Sequence, residues 1–196
     1  MPEPPPNHVH PLTRDAWRAW LEQAHAREEG VWLVRYKKAT GKPTLSYDEA
    51  VEEAICFGWV DSLPRKLDDE RSLLYVAPRK PGSGWSRRNK ERMAKMAEAG
   101  KMAPAGLAKV AAAKADGSWS ALDAVENLVV PDDLAAAFEA HPGAAAEWEA
   151  FPRSAKRGIL EWIQNAKRDP TRRKRVEETA RLAQRGERAN QWPRKS

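Results

Sequence analysis

The densest concentration of binding chemistry in the chain runs from Arg79 to Lys95, where seven Lys or Arg stand against one Glu and enclose Pro81-Gly82-Ser83-Gly84-Trp85-Ser86 and Asn89. Ser86 has the residue type and spacing of a helix N-cap. A helix starting there leaves the N–H groups of Arg87, Arg88 and Asn89 at its positive end, beside the side chains of Arg87, Arg88 and Lys90 and the indole of Trp85. Such an end attracts anions. The loop lacks the G-x-x-x-x-G-K-[ST] spacing, so it is not a Walker phosphate loop. A capped helix with a solvated basic face and Trp85 packed beneath accounts for the same residues, and both readings stay open.

A second constellation is Cys56-Phe57-Gly58-Trp59-Val60-Asp61-Ser62 with Arg65. A helix ending at Gly58 and feeding a strand brings Asp61, Ser62 and Arg65 toward one sheet end, an arrangement that can hold a polar ligand or orient an acid and a cation. A helix-ending glycine, a core indole and a surface ion pair also explain it, and more simply, since surface ion pairs are common. Cys56 adjoins the apolar stripe of its helix without a nearby His and reads as a buried, inert thiol. A third set, Arg172, Arg173, Lys174 and Arg175, opens a helix with cations that oppose its macrodipole. These four suit a phosphate backbone, an anionic partner or an acidic patch in the same chain. From Lys167 to Ser196 there are eleven Lys or Arg and four Asp or Glu, so the formal net charge of +6 is a C-terminal property. Nucleic-acid binding needs a continuous cationic footprint, which a count of charges alone does not establish.

Other chemistries are excluded or unsupported. His8 and His10 sit in a proline-rich head, His25 and His141 are isolated, and one cysteine makes neither a zinc cluster nor an intramolecular disulfide. The motifs G-x-S-x-G and G-x-G-x-x-G are absent, so neither cofactor nor metal is expected. Catalytic candidates shrink to Tyr47, Asp48, Asp61 and Cys56, and none is assigned a catalytic role. No run reaches the ~18 apolar residues of a membrane span, and Met1 to Pro11 has no signal-like apolar core. A cytoplasmic protein is the expectation.

The elements that must position these residues follow from composition and periodicity. The chain has 196 residues, 41% of them hydrophobic and 32% charged, and nine Trp against three Phe and three Tyr, which places large N–H-bearing rings at core edges or in a groove. Residues 1–11, with five prolines, read as a mobile lead-in. Thr13 caps a helix carrying Trp17, Trp20, Leu21 and Ala24 and ending near Gly30; Val31 to Lys37 is a strand; Ser46 and Glu49 form a capping box opening a helix that ends at Gly58. Trp59 to Leu67 and Ser72 to Ala77 are strands joined by Asp68-Asp69-Glu70. Beyond Gly84 the pattern is helical: Arg87–Ala99, Pro104–Ala115, Asp132–Ala140, Ala144–Ala150, Ala155–Lys167 and Thr171–Gln184, with Ala155, Ile159, Trp162, Ile163 and Ala166 as a core stripe. The fold class is α+β: a small unit over 12–80 with a short, mainly antiparallel sheet, an all-α part over 85–186 and a basic tail over 187–196. Their junction predicts a cleft with Trp59, Asp61 and Arg65 on one wall and Trp85, Ser86, Asn89 and Lys90 on the other.

Several segments together resemble one family: Leu45-Ser-Tyr-Asp-Glu-Ala-Val-Glu-Glu-Ala, Cys56-Phe-Gly-Trp-Val-Asp-Ser, Ala77-Pro-Arg-Lys-Pro, Trp85-Ser with Asn89-Lys90, Gly117-Ser-Trp, Val130-Pro-Asp-Asp-Leu and Ala166-Lys-Arg with Thr171-Arg. From about Trp17 to Leu182 the chain is similar to the bacterial YdeI/OmpD-associated, or bacteriocin-protection, family. It departs from that pattern at Ser83-Gly84 and at Pro170. The resemblance implies association with an outer-membrane porin, envelope-stress or bacteriocin-tolerance roles, and no established catalytic residues. The expectation is a non-catalytic protein binding a small anionic ligand or a protein partner at the cleft. The alternatives are a nucleic-acid or polyanion binder acting through the C-terminal cations, and a small-molecule enzyme.

Overall fold

The computed structural model describes residues 2–191 and divides into two compact units between Ala121 and Leu122. In the first, β1 (His8–Val9), α1 (Arg14–Ala24), β2 (Val31–Tyr36), α2 (Tyr47–Cys56), β3 (Trp59–Lys66), β4 (Arg71–Pro78), α3 (Arg87–Glu98) and α4 (Pro104–Ala115) follow one another, with a three-residue 3-10 turn at Lys38–Thr40. The four strands lie in the order β1-β2-β4-β3; β1 runs parallel to β2, and the other pairs are antiparallel. This is the α+β architecture that the patterning predicts.

Local chemistry accounts for the helix starts. Thr13 accepts the Ala16 N–H, Ser46 and Glu49 form the reciprocal capping box, and Ser86 accepts the Asn89 N–H at 3.3 Å. The first helix stops at Ala24, short of Gly30: Arg27 N–H closes a tighter turn on the Ala24 carbonyl (3.1 Å), and the His25 carbonyl accepts the Trp59 indole N–H (3.0 Å). The Asp68 carboxylate accepts the N–H groups of Glu70 (2.9 Å) and Arg71 (2.6 Å) and closes the β3–β4 turn.

The lead-in is not loose. Trp32 N–H donates to the Asn7 carbonyl (2.9 Å), Asn7 Nδ2 donates to the Gly30 carbonyl (2.5 Å), and Arg71 reaches the Pro2 carbonyl (3.0 Å), so His8–Val9 adds an edge strand. The sequence misses it because two residues carry no periodicity. Helices α3 and α4 likewise belong to the first unit: Met96, Val110 and Ala113 join Trp17, Leu21, Leu33, Ile55, Trp59, Leu74 and Trp85 in one core. The division therefore falls well beyond the 80–85 junction. Gly106 allows α4 to cross the end of α2, since a Cβ there would lie 2.2 Å from the Cys56 carbonyl oxygen.

The second unit contains α5 (Asp123–Glu126), α6 (Asp132–Ala140), α7 (Ala144–Ala150), α8 (Arg153–Gln164) and α9 (Asp169–Ala183) around Leu134, Phe138, Trp148, Ile159, Ile163 and Ala180. The buried stripe of α8 is Ala155, Lys156, Ile159, Leu160 and Ile163. Trp162 lies at its flank, partly buried, because the inward arc is centred on Ile159 and Ile163, the most deeply buried residues of the helix. From residue 192 onward the basic tail lies outside the described residues.

Two glycine substitutions test this packing in opposite directions. Gly106→Ala should cost ~1–3 kcal/mol in urea denaturation, as expected for overpacking. Gly158→Ala, where a Cβ meets nothing within 4 Å, should gain ~0.5–1 kcal/mol from helix propensity. A neutral Gly106→Ala would contradict the α2–α4 crossing.

Candidate anion-binding site

Strand alternation carries Tyr75, Ala77 and, one step past the end of β4, Arg79 to the same side. Arg79 N–H donates to the Gly58 carbonyl (3.0 Å), which holds the exit of β4 against the start of β3. The turn that follows is tied down by Ser83 Oγ donating to the Lys80 carbonyl (2.7 Å), by Gly82 N–H donating to Asp116 (3.3 Å) and by Trp85 N–H donating to the Ser118 carbonyl (3.3 Å). Gly82 lies at φ +70°, a left-handed conformation suited to glycine.

Trp85 is 1% exposed and tilts against Trp119 with ring centroids 5.0 Å apart. Cations surround this indole pair: the Arg79 guanidinium lies 4.0 Å from the Trp85 ring, and the ammonium groups of Lys90 and Lys114 each lie 5.3 Å from Trp119. Arg79 is itself 5% exposed. Its guanidinium donates to the Gly84 carbonyl (3.1 Å) and Ser83 Oγ (3.5 Å), while its Nε–H and the Trp85 Nε1–H have no acceptor. Among the described residues it makes no ion pair. Burial pushes its pKa down to about 10, only partly offset by the field of Asp61.

Arg79 and Trp85 line a pocket of about 50 Å3 with Lys80, Ser83, Lys109 and Asp116. A single water needs roughly 10–15 Å3, so the pocket has room for a few waters or one small oxyanion. Asp116 accepts from the Gly82 and Ser118 N–H groups, and its hydrogen bonds from Ser118 hold its carboxyl below the usual range. Lys109 reaches the pocket by crossing Gly58, where a Cβ would lie 2.6 Å from its Cγ.

The residues nominated from sequence separate into several places. Trp85 lines this pocket, and Lys90 reaches its indole pair over Trp119. Ser86 is a helix cap, and the Asn89 side-chain carbonyl accepts from Arg92 (3.2 Å). Trp59 is buried edge-on to Trp20 and borders an adjoining cleft that also contains Lys109. Asp61 accepts the Tyr47 hydroxyl at 2.6 Å. Arg65 follows an irregularity in β3 between Asp61 and Pro64 and stacks on Trp32 (4.8 Å), which alternates with the core residues Val31 and Leu33 and so faces away from them. At the C-terminal end, Arg172 forms a two-pronged pair with Asp133 (2.7 and 2.9 Å), and Arg175 donates to the Trp162 carbonyl and stacks on its ring; Arg173 and Lys174 are exposed. The sequence singled out neither Arg79, beyond counting it in the basic cluster, nor Lys109 and Trp119.

The catalytic candidates are engaged structurally. Asp48 pairs with Arg92 (2.5 Å), and burial, with the hydrogen bond to Asp61, raises the Tyr47 pKa above the usual phenol value. Burial likewise pushes the Cys56 thiol up to about 11. At pH 8 native protein should therefore react with a thiol reagent such as DTNB at least ~100-fold more slowly than denatured protein; equal rates would refute a buried thiol.

No helix of the described residues is long and apolar enough to cross a membrane. No curated protein and no solved structure matches the chain. Residues 127–186 match a family model described as Bacteriocin-protection, YdeI or OmpD-Associated, so the resemblance drawn from Trp17 to Leu182 narrows to the second unit. Residues 9–109, more than half of the sequence, match the model described as Domain of unknown function (DUF8412), and the chain belongs to that family.

Proposed function

We propose that this is a non-catalytic binding protein whose first unit holds an oxyanion against Arg79 and Trp85, in the service of a bacteriocin-protection-like role. One observation carries the reading: a guanidinium that is 5% exposed and has no carboxylate partner among the described residues. A buried charge without a counter-charge costs several kcal/mol, and an oxyanion in the adjoining pocket would offset that cost. It would also supply acceptors for the Arg79 and Trp85 N–H groups. Lys80 and Lys109 also line the pocket and, with Arg79, outnumber its one carboxylate, Asp116, while Lys90 and Lys114 on Trp119 add positive field nearby.

The match of residues 127–186 supports the protective role, and the single cysteine, held as a buried thiol, fits a reducing cytoplasm. A protein partner would enter the same pocket by a carboxylate or phosphate side chain. The alternative, a polyanion held by Arg172, Arg173, Lys174 and Arg175, is supported less well, since two of the four are engaged within the second unit.

Calorimetric titration with inorganic phosphate should give saturable binding that Arg79→Met abolishes. Without ligand, the same substitution should leave stability unchanged or raise it by roughly 1 kcal/mol, because it removes an uncompensated buried charge. Loss of stability with phosphate binding retained would overturn the proposal.

A further inference from the structure

We infer that the ligand whose anionic end reaches Arg79 is a nucleoside monophosphate, its base lying on Tyr75; this rests on the oxyanion reading above. The observation that takes the argument further is an open cleft of about 650 Å3 on which Tyr75, Ala77, Arg79, Lys80 and Lys109 all border. Its size falls within the ~300–1,000 Å3 of small-molecule sites.

Tyr75 on β4 is the cross-strand partner of Trp32 on β2, and their rings lie 5.0 Å apart. Both strands are central in the four-stranded sheet, where an aromatic ring can carry a stacked base; Trp32 already carries the Arg65 guanidinium (4.8 Å), and Tyr75 is the ring that borders the cleft. Both rings are partly exposed. The Tyr75 ring is held in place by Gly30, where a Cβ would lie 2.7 Å from its Cζ. Asn7 fixes that loop by donating to the Gly30 carbonyl and accepting from Arg27 (3.1 Å).

Charge is divided across the cleft. Arg79, Lys80 and Lys109 supply cations, whereas Glu28 and Glu29 supply carboxylates. A phosphate belongs with the former, and ribose hydroxyls or a base amino group can donate to the latter. A nucleic-acid strand would have to carry further phosphates past Glu28 and Glu29, so the division of charge favours a single nucleotide over a polymer.

Titrating the full chain with adenosine 5′-monophosphate, adenosine and inorganic phosphate separates the elements. The monophosphate should bind about tenfold or more tighter than phosphate, the gain expected of one stacked base. Tyr75→Leu should bring its affinity down to that of phosphate while leaving phosphate affinity unchanged, and cross-relaxation between the Tyr75 ring and base protons in the unmodified protein should report the same contact without a variant. Equal affinities for the monophosphate and phosphate, or an affinity ratio untouched by Tyr75→Leu, would overturn this inference and leave the oxyanion reading standing. Phosphate binding that survives Arg79→Met, or failure of both ligands to bind, would remove the oxyanion reading and this inference with it. Tyr75-dependent binding of a single-stranded oligonucleotide tighter than the monophosphate would replace the nucleotide by a strand.

Discussion

The first unit is organised around two adjacent carboxylates that α2 carries into the interior. Glu52 and Glu53 are 4% and 1% exposed, and a buried carboxylate without a partner would protonate or prevent folding. Each is met by cations from neighbouring helices: Arg14 lies 3.0 Å from Glu52 and 2.6 Å from Glu53, Arg18 lies 2.8 Å from Glu53, and Lys95 lies 2.5 Å from Glu52. Losing one member of such a set strands a charge and is far more costly than losing a surface pair. The requirement fixes α1 and α3 against α2. With Gly106 seating α4 on the end of α2, it determines where the segment from Arg79 to Ser86 must run.

At Arg79 the same unit does the opposite. The other buried charged side chains described are ion-paired: Arg92 with Asp48, Glu126 with Arg157 and Lys156 with Glu149, besides Glu52 and Glu53. Arg79 has an indole face, a carbonyl and a hydroxyl, which hold its geometry without cancelling its charge. Rigid placement in a water-poor setting makes a cation a stronger electrostatic partner for an incoming anion than an exposed lysine would be. Under the proposed anion binding, the stability given up here would be the cost of a preformed recognition element, the pattern expected where local rules of satisfaction are broken at a functional site.

Much of this was legible in the sequence wherever the determining chemistry is local. The caps at Thr13, Ser46 and Ser86, the Asp68 turn and the breaks of the C-terminal helices are each fixed by a few neighbouring residues. The two-residue strand at His8–Val9 depends on a distant edge and has no signal of its own. Trp162 shares an apolar arc with Ala155, Ile159 and Ile163 in the sequence, yet the buried face is centred on Ile159 and Ile163 and leaves the indole at its flank. Trp85 was visible as a loop indole among cations, but the isolation of Arg79 was not, since lacking a carboxylate is a property of the surrounding fold. Arg65 and Asp61, close in sequence, part because an irregularity in β3 changes the side to which the strand directs its residues.

In the proposed site Arg79 and Trp85 present N–H groups to an anion from inside the protein. Side-chain N–H resonances observed by NMR during a phosphate titration test it most directly. The Trp85 Nε1–H and Arg79 Nε–H signals should shift and saturate together, ahead of those from the exposed Arg173 and Lys174. Shifts confined to surface residues, linear in phosphate and leaving these two signals unmoved, would contradict it.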